Sequence, residues 1–230
     1  MLISMVEVHT RVTVIVDLVG SRRHGDRAWV HRVFTQALAA VNDAVPAEQP
    51  LEPTLGDEAQ ARYRTVEEAL RATLLLRLEL PEALDARAGI GVGAVQHLGT
   101  GVVGLLQDGP GWWAARDAID EAKAREIARD RTLRTWFVVA PDAPADPDRP
   151  DQAYVDAFLL LRDEIVTGMP VRSRRLLRGV LDGRTQAELA EREGISPSAV
   201  SQNLRRSGAY AVLHAHALLL QGAVAGPDPQ

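Results

Sequence analysis

Two short acidic motifs in the chain have residue types suited to holding a divalent cation. The first, residues 17–22 with the sequence DLVGSR, follows a β-branched run that predicts a buried strand ending at Asp17. The second, residues 56–58 with the sequence GDE, lies in a predicted hairpin over residues 52–63. Carboxylates at the ends of neighbouring strands form a hard oxygen site for Mg²⁺, which commonly bridges to substrate phosphates. Asp17 and Asp57 are therefore predicted to share one cation, with a nucleotide as the expected ligand.

The same residues also have a purely structural interpretation. An aspartate at a strand end commonly belongs to a turn, and Gly-Asp-Glu is typical of hairpin turns. Two further segments favour the nucleotide site. Residues 88–93 (AGIGVG) form a small-residue strand that admits another backbone or a ligand, and residues 109–116 (GPGWWAAR) form a glycine-rich turn that opens a helix.

The elements that must position these motifs form a mixed series. We expect a strand at 11–17, a helix at 26–44, a hairpin at 52–63, a helix at 65–80, a strand at 86–95, a helix at 112–128 and a strand at 135–140. Thr65 and Glu68 have the spacing of a capping box. This βαββαβ-type order predicts the α/β (α+β) class, with a ferredoxin-like or cyclase-like palm sheet covered by helices.

Proline occupies every third position in residues 141–150, which predicts a stiff, extended linker. It separates a predicted α/β domain, residues 1–140, from an all-α domain, residues 151–230. We expect helices in that domain at 153–166, 173–181, 186–193, from 197 onward, and at 211–220, the last for packing or dimerisation. A capping box at Thr185, a stop at Gly194 and an N-cap at Ser196 predict a helix-turn-helix over residues 185–208.

The region around this helix pair is basic although the chain as a whole is acidic. Residues 171–210 contain eight arginines and four acidic residues, whereas the whole chain has a net charge of −5. The residues predicted to contact DNA are the polar and basic side chains of the second helix, namely Ser198, Ser201, Gln202, Asn203, Arg205 and Arg206. The alternative is a helical hairpin that packs on the first domain and touches no DNA.

Several of these motifs resemble known families. The order of four N-terminal motifs resembles that of the class III nucleotidyl cyclase catalytic domain. These motifs are residues 17–22, 56–58, 88–93 and 109–116. Residues 17–22 and 55–60 resemble more closely the SatD family of small bacterial proteins, which can carry a C-terminal helix-turn-helix. Residues 186–201 resemble the sigma-region-4 and LuxR-type helix-turn-helix.

The cyclase and SatD resemblance implies specific roles for residues of this chain. Asp17 and Asp57 would bind Mg²⁺ or Mn²⁺, and Arg116 would stabilise transferring phosphate if the domain is active. The implied nucleotide-binding residues are Leu18, Val19, Gly20, Ser21 and Arg22. The chain departs from the cyclase pattern at Trp112, where cyclases have asparagine, and at Pro53, where they have a base-specifying lysine. These departures favour metal and phosphate binding over cyclisation.

Composition narrows the class of protein. Because the chain has no cysteine, disulfides, thiolate metal sites and cysteine nucleophiles are excluded. It shows neither a signal pattern nor an apolar run long enough to span a bilayer, so we expect a cytoplasmic protein with no membrane partner. Lys123 is the only lysine, which indicates genomic composition bias rather than selection of an arginine-rich surface.

The leading hypothesis is a homodimeric bacterial transcription regulator. Its first domain would bind or sense a nucleotide with Mg²⁺, and its helix-turn-helix would bind DNA. The first alternative is an active nucleotidyl cyclase or nucleotidyltransferase, a phosphorus-oxygen lyase that uses Asp17 and Asp57 as metal ligands. The second alternative is a non-catalytic protein-interaction scaffold.

Overall fold

The computed structural model describes residues 9–21, 24–54, 56–101 and 104–222. Its helices and strands follow the predicted order, with one additional strand. In chain order they are β1 (His9–Val19), α1 (Arg27–Ala44), β2 (Gln49–Pro53), β3 (Glu58–Tyr63), α2 (Val66–Glu79), β4 (Asp85–Gly101), β5 (Gly104–Asp108), α3 (Pro110–Ala128), β6 (Thr135–Val139), α4 (Gln152–Gly168), α5 (Val171–Leu181), α6 (Gln186–Glu193), α7 (Pro197–Arg206) and α8 (Ala209–Gly222).

The six strands form a mixed sheet with the order β2-β3-β1-β4-β5. The central strand β1 is antiparallel to both β3 and β4. β6 pairs in parallel with β4 from Ala88 to Val92, whereas β5 pairs with the later part of β4 from Gln96 onward. The path from β1 to β4 has the split βαβ arrangement of a ferredoxin-like sheet. The predicted α+β palm-like class is therefore confirmed.

Alternate residues of β1 face the two helical layers. Val12, Val14 and Val16 belong to the large core that α1 and α2 cover, whereas Ile15 packs with α3. The prediction that β1 ends at Asp17 is wrong, because the antiparallel ladder with β4 continues through Val19. Since strand residues alternate between faces, Asp17 shares the α3-covered face with Ile15.

Glycines of β4 form the surface on which α3 packs. A Cβ atom at Gly89 would lie 2.2 Å from the Ala115 carbonyl oxygen, and one at Gly91 would lie 2.3 Å from the Ala115 nitrogen. The buried Thr13 hydroxyl donates to the carbonyl oxygen of Gly111 at 2.7 Å and fixes the start of α3. The sequence predicts that this small-residue strand admits either another backbone or a ligand. In the structure the backbone of α3 packs closely against it.

The helix α4 is part of the sheet's own core. Phe158 and Leu159 belong to the large core cluster, and the Asp156 carboxylate accepts a hydrogen bond from the Phe137 N–H of β6 at 3.1 Å. Burial raises the pKa of Asp156 to about 7, against hydrogen bonds that lower it. A separate apolar cluster joins α2 to α5, α6, α7 and α8. The domain division at residues 141–150 stays a prediction.

The predicted caps of α6 and α7 are confirmed. Thr185 and Glu188 form a reciprocal capping box, and Gly194 ends α6 with φ 65°. Ser196 caps α7 by accepting a hydrogen bond from the N–H of Ala199. These caps place the two short helices on either side of a three-residue connection. In the part of the chain described, no helix is both long and apolar enough to cross a membrane.

Candidate functional site

A cleft of about 810 Å³ lies beside the C-terminal part of β1. Its walls come from β1 and the turn after it, the β2–β3 hairpin, the start of β4 and the end of α3. The lining residues are Asp17, Leu18, Val19, Gly20, Ser21, Asp57, Arg87, Lys123, Glu126, Ile127 and Arg131. Arg22 and Leu55, which belong to the two sequence motifs, lie outside the described residues. The structure therefore brings both predicted metal-binding carboxylates to one cleft.

Backbone contacts hold the two acidic motifs against each other. The N–H of Leu18 donates to the Asp57 carbonyl oxygen at 3.2 Å, next to the Asp17–Glu58 pair of the β1–β3 ladder. The chain then turns at Gly20, whose φ of 72° favours glycine. This turn buries Ser21, whose hydroxyl donates to the Asp57 carboxylate. The Asp57 side chain is thereby tied to the first motif.

Asp17 lies directly opposite Arg87 in the β1–β4 ladder. The Nη1 group of Arg87 donates to the two Asp17 carboxylate oxygens at 3.0 and 3.1 Å, and its Nη2 group forms an ion pair with Glu126. Desolvation raises the pKa of Asp17, against the lowering effect of Arg87, and the nearby Asp57 charge raises it further. The two cleft carboxylates therefore interact electrostatically.

The cationic side of the cleft has donors that the protein does not use. Arg87 is 7% exposed, and its buried Nε–H has no hydrogen-bond partner among the described residues. Leaving such a group unpaired costs about 1–3 kcal/mol. The side chains of Lys123 and Arg131 form no ion pair with any described residue. The chain's only lysine thus lies in this cleft.

The oxygen donors fit a metal ion bound together with phosphate better than a bare ion. Asp17 and Asp57 already interact with Arg87 and Ser21, and no group of three potential metal ligands of the His, Cys, Asp or Glu types occurs within the described residues. Mg²⁺ commonly uses one or two carboxylates and completes its shell with water and phosphate oxygens. The donor set matches this mode of binding.

The cyclase resemblance implies that Arg116 stabilises the phosphate group during its transfer. Arg116 does not line the cleft of its own chain. It lies on α3, is partly exposed, and donates from Nη2 to the Glu58 carboxylate at 2.8 Å. Trp112 beside it is buried against the sheet, in the small cluster that contains Ile15. Arg116 therefore pairs with the residue that follows Asp57 and does not itself line the cleft.

Five cleft residues are not predicted from the sequence, namely Arg87, Lys123, Glu126, Ile127 and Arg131. Arg87 comes two residues before Gly89, but only the β1–β4 register places it opposite Asp17. Lys123 carried one usable signal, because it is the single lysine in a chain whose other basic residues are all arginine. In the sequence alone, that signal is not distinguishable from composition bias.

The residues predicted to contact DNA are only partly accessible on α7. Four of the six are exposed, namely Ser198, Gln202, Arg205 and Arg206. Ser201 and Asn203 are half-buried, and the buried Oδ1 atom of Asn203 has no partner among the described residues. The exposed residues place two positive charges at the C-terminal end of the helix.

Comparison with known proteins yields similarities of fold only. No family model and no curated protein matches the chain. Among solved structures, a bacterial light-regulated adenylyl cyclase is 14% identical with a TM-score of 0.43, over 58% of this chain and 44% of that chain. The guanylyl cyclase Cya2 is 13% identical with a TM-score of 0.41, over 50% of this chain and 72% of that one.

The adenylyl cyclase CyaB from P. aeruginosa is 12% identical with a TM-score of 0.36, over 48% of this chain and 71% of that one. The chain thus spans less than half the length of the first of these structures. These similarities concern the fold of about half of the chain.

Proposed function

We propose that the cleft binds a nucleotide together with Mg²⁺ and that the chain acts as a nucleotide-responsive regulator. The observation that carries this proposal is the convergence of two carboxylates, Asp17 and Asp57, with the cationic side chains of Arg87, Lys123 and Arg131 in one cleft. Phosphate oxygens match the donor geometry of a guanidinium group such as that of Arg87.

Recognition in this proposal depends on charge pairing on both sides of the ligand. The divalent cation neutralises Asp17 and Asp57, which would otherwise repel the phosphate groups. Arg87, Lys123 and Arg131 then donate to the phosphate oxygens from the other side of the cleft. Residues 18–21 complete the wall of the cleft.

Binding without turnover is the form of the proposal that the placement of Arg116 favours. Arg116 pairs with Glu58 and does not line the cleft, so within one chain it does not face a phosphate bound there. The second candidate is nucleotidyl cyclase or nucleotidyltransferase activity, which would need Arg116 of a second copy. Both forms are compatible with a homodimer, and both use Mg²⁺ or Mn²⁺.

Thermal unfolding with ATP, GTP, CTP and UTP, each with and without Mg²⁺, tests the cleft. A ligand at 100 times its dissociation constant stabilises by about 2.7 kcal/mol, which raises Tm by several degrees in a chain of this size. We expect a saturable shift that requires Mg²⁺ and falls at least about tenfold in affinity in Asp57→Ala. Asp142→Ala, at an exposed aspartate that does not line the cleft, is the matched control and should bind normally.

An unchanged Tm with all four nucleotides, or a shift that persists fully in Asp57→Ala, would contradict nucleotide binding. Product analysis of the same mixtures separates the two candidates. Metal-dependent turnover in the wild type that disappears in Asp17→Ala would establish the enzyme, whereas binding without product supports sensing. Absence of both nucleotide and DNA binding would favour the scaffold.

We also propose that α6 and α7 form a helix-turn-helix that binds DNA, as in the SatD-type regulator that the sequence resembles. Support comes from the basic 171–210 region and from the exposed Gln202, Arg205 and Arg206 on α7. Side chains of these types donate to phosphates and to base edges in the major groove. Transcription regulation follows as the expected role.

Replacing Arg205 and Arg206 by alanine should weaken duplex DNA binding by at least about tenfold and lower the salt slope of log K by about 2. Fluorescence anisotropy with a labelled duplex at several salt concentrations measures both quantities. The matched control replaces Arg27 and Arg129, two exposed arginines outside α7. Equal losses in the two double variants, or no loss in either, would contradict a DNA-binding role for α7.

A further inference from the structure

A continuous series of ion pairs leads from the cleft to Asp163, the residue of α4 that bonds to the start of β6. Six ion pairs join seven side chains of alternating charge. In order they are Asp17, Arg87, Glu126, Arg134, Asp85, Arg77 and Asp163. The series begins at a predicted metal ligand and ends on a helix that lies beyond the proline-rich segment.

Interior carboxylates of the series are each shared between two guanidinium groups. Glu126 pairs with Arg87 and, at 3.1 Å, with Arg134. Asp85 pairs with Arg134 at 2.8 Å and with Arg77 at 2.9 Å. Because two cations compete for one carboxylate, a change in one pair alters the strength of the next.

Low exposure makes these interactions effective over the length of the series. The side chains of Arg87 and Arg134 are 9% and 11% exposed, and that of Arg77 is 2% exposed. Charges in such positions are screened by salt much less than surface charges. Asp17, at the cleft end, is the most exposed member, at 32%. It is therefore the member a ligand reaches first.

The far end of the series anchors α4 to the sheet. Asp163 is fully buried and accepts hydrogen bonds from the N–H groups of Arg134 and Thr135, both at 2.7 Å. It also accepts from Arg77 and Arg162. Any rearrangement of Arg77 or Arg134 therefore changes how firmly β6 holds α4.

The same region connects to the helices that precede the proposed DNA-binding pair. Arg174 of α5 donates to the Arg77 carbonyl oxygen, and Arg178 of α5 pairs with Glu79 of α2. α5 packs in turn on α6 and α7 through the second apolar cluster. Contacts of α4 and α5 thus connect the region of Arg77 and Asp163 with α7.

We propose that this series of ion pairs transmits the state of Asp17 to α4. The natural trigger rests on the proposed function, since a cation that takes Asp17 or a phosphate that takes Arg87 breaks the first pair. Arg87 then changes its pairing with Glu126, Glu126 with Arg134, and Arg134 with Asp85. The last step changes the strength of the hydrogen bonds from the N–H groups of Arg134 and Thr135 to Asp163.

Hydrogen exchange without any ligand tests this transmission, because Asp17→Ala breaks the first pair directly. We expect amide exchange in residues 132–137 and 155–168 to change by at least about threefold in Asp17→Ala relative to the wild type. Asp57→Ala is the matched control. It removes the other carboxylate of the same cleft, but Asp57 bonds to Ser21 and belongs to no pair of the series.

A second variant tests the path itself. Glu126→Gln removes the shared carboxylate between Arg87 and Arg134, so adding Asp17→Ala to it should leave exchange in residues 132–137 and 155–168 unchanged. Equal exchange in wild type and Asp17→Ala, equal responses to Asp17→Ala and Asp57→Ala, or a full response in the Glu126→Gln background would overturn the proposal. Failure of nucleotide binding would appear in the thermal shifts and leave these exchange results intact, so the two failures are distinguishable.

Discussion

Replacing Asp163 by alanine will lower the free energy of unfolding by about 3–5 kcal/mol, as expected when one member of a buried charge cluster is removed. Asp163 has no exposed surface and accepts hydrogen bonds from Arg77 and Arg162, which are also almost fully buried. Without it, two guanidinium groups and the N–H groups of Arg134 and Thr135 lose an acceptor. Urea unfolding followed by circular dichroism measures the loss.

The neighbouring Glu164 supplies the control for this prediction. It is exposed on the same helix, and its carboxylate accepts a hydrogen bond from the hydroxyl of the half-buried Thr132 at 2.5 Å. Glu164→Ala should therefore change the free energy of unfolding by no more than about 0.5 kcal/mol. A loss below about 1 kcal/mol in Asp163→Ala would show that α4 does not depend on the buried charges.

Gly91→Ala should destabilise the fold by about 3 kcal/mol, through overpacking between β4 and α3. The added Cβ atom would lie 2.3 Å from the Ala115 nitrogen and 2.4 Å from the Gly111 carbonyl oxygen. Both are backbone atoms, so the helix itself must move. That movement would also disturb the hydrogen bond from Thr13 to Gly111. Thermal and urea unfolding measure the effect.

Gly168→Ala provides the same chemical change at a position with room for it. Among the described residues, apart from the adjoining backbone of α4, no atom lies within 4 Å of the added Cβ, and the residue is the last of α4. Alanine there should be neutral or stabilising by up to about 1 kcal/mol, because it reduces the freedom of the unfolded chain. If Gly91→Ala and Gly168→Ala have equal effects, the close packing of α3 on β4 is not what requires glycine.

Local patterns predicted most of the secondary structure, because caps and periodicity act within a few residues. The capping boxes at Thr65 and Thr185 and the two-faced pattern of β1 are examples. β5 was not predicted, since residues 104–108 form a strand only by pairing with the extension of β4. The end of β1 was misjudged for the same reason, as its last two residues continue the ladder with β4.

The candidate site was predictable in its acidic half only. Asp17 and Asp57 lie in recognisable turn-forming motifs, whereas Arg87 reaches Asp17 through strand register and Lys123 through the placement of α3. The pairing of Arg77 with Asp163 joins residues 86 positions apart. Such contacts depend on tertiary packing, which a short sequence pattern does not encode.

The most direct measurement of the central proposal is a crystal structure with Mn²⁺ and a non-hydrolysable analogue of the nucleotide that gives the largest thermal shift. Anomalous scattering locates the metal independently of the ligand. We predict a manganese peak between the carboxylates of Asp17 and Asp57, with phosphate oxygens accepting from Arg87 and Lys123. Manganese bound elsewhere, or an empty cleft with the Asp17–Arg87 pair intact at saturating ligand, would contradict the proposal.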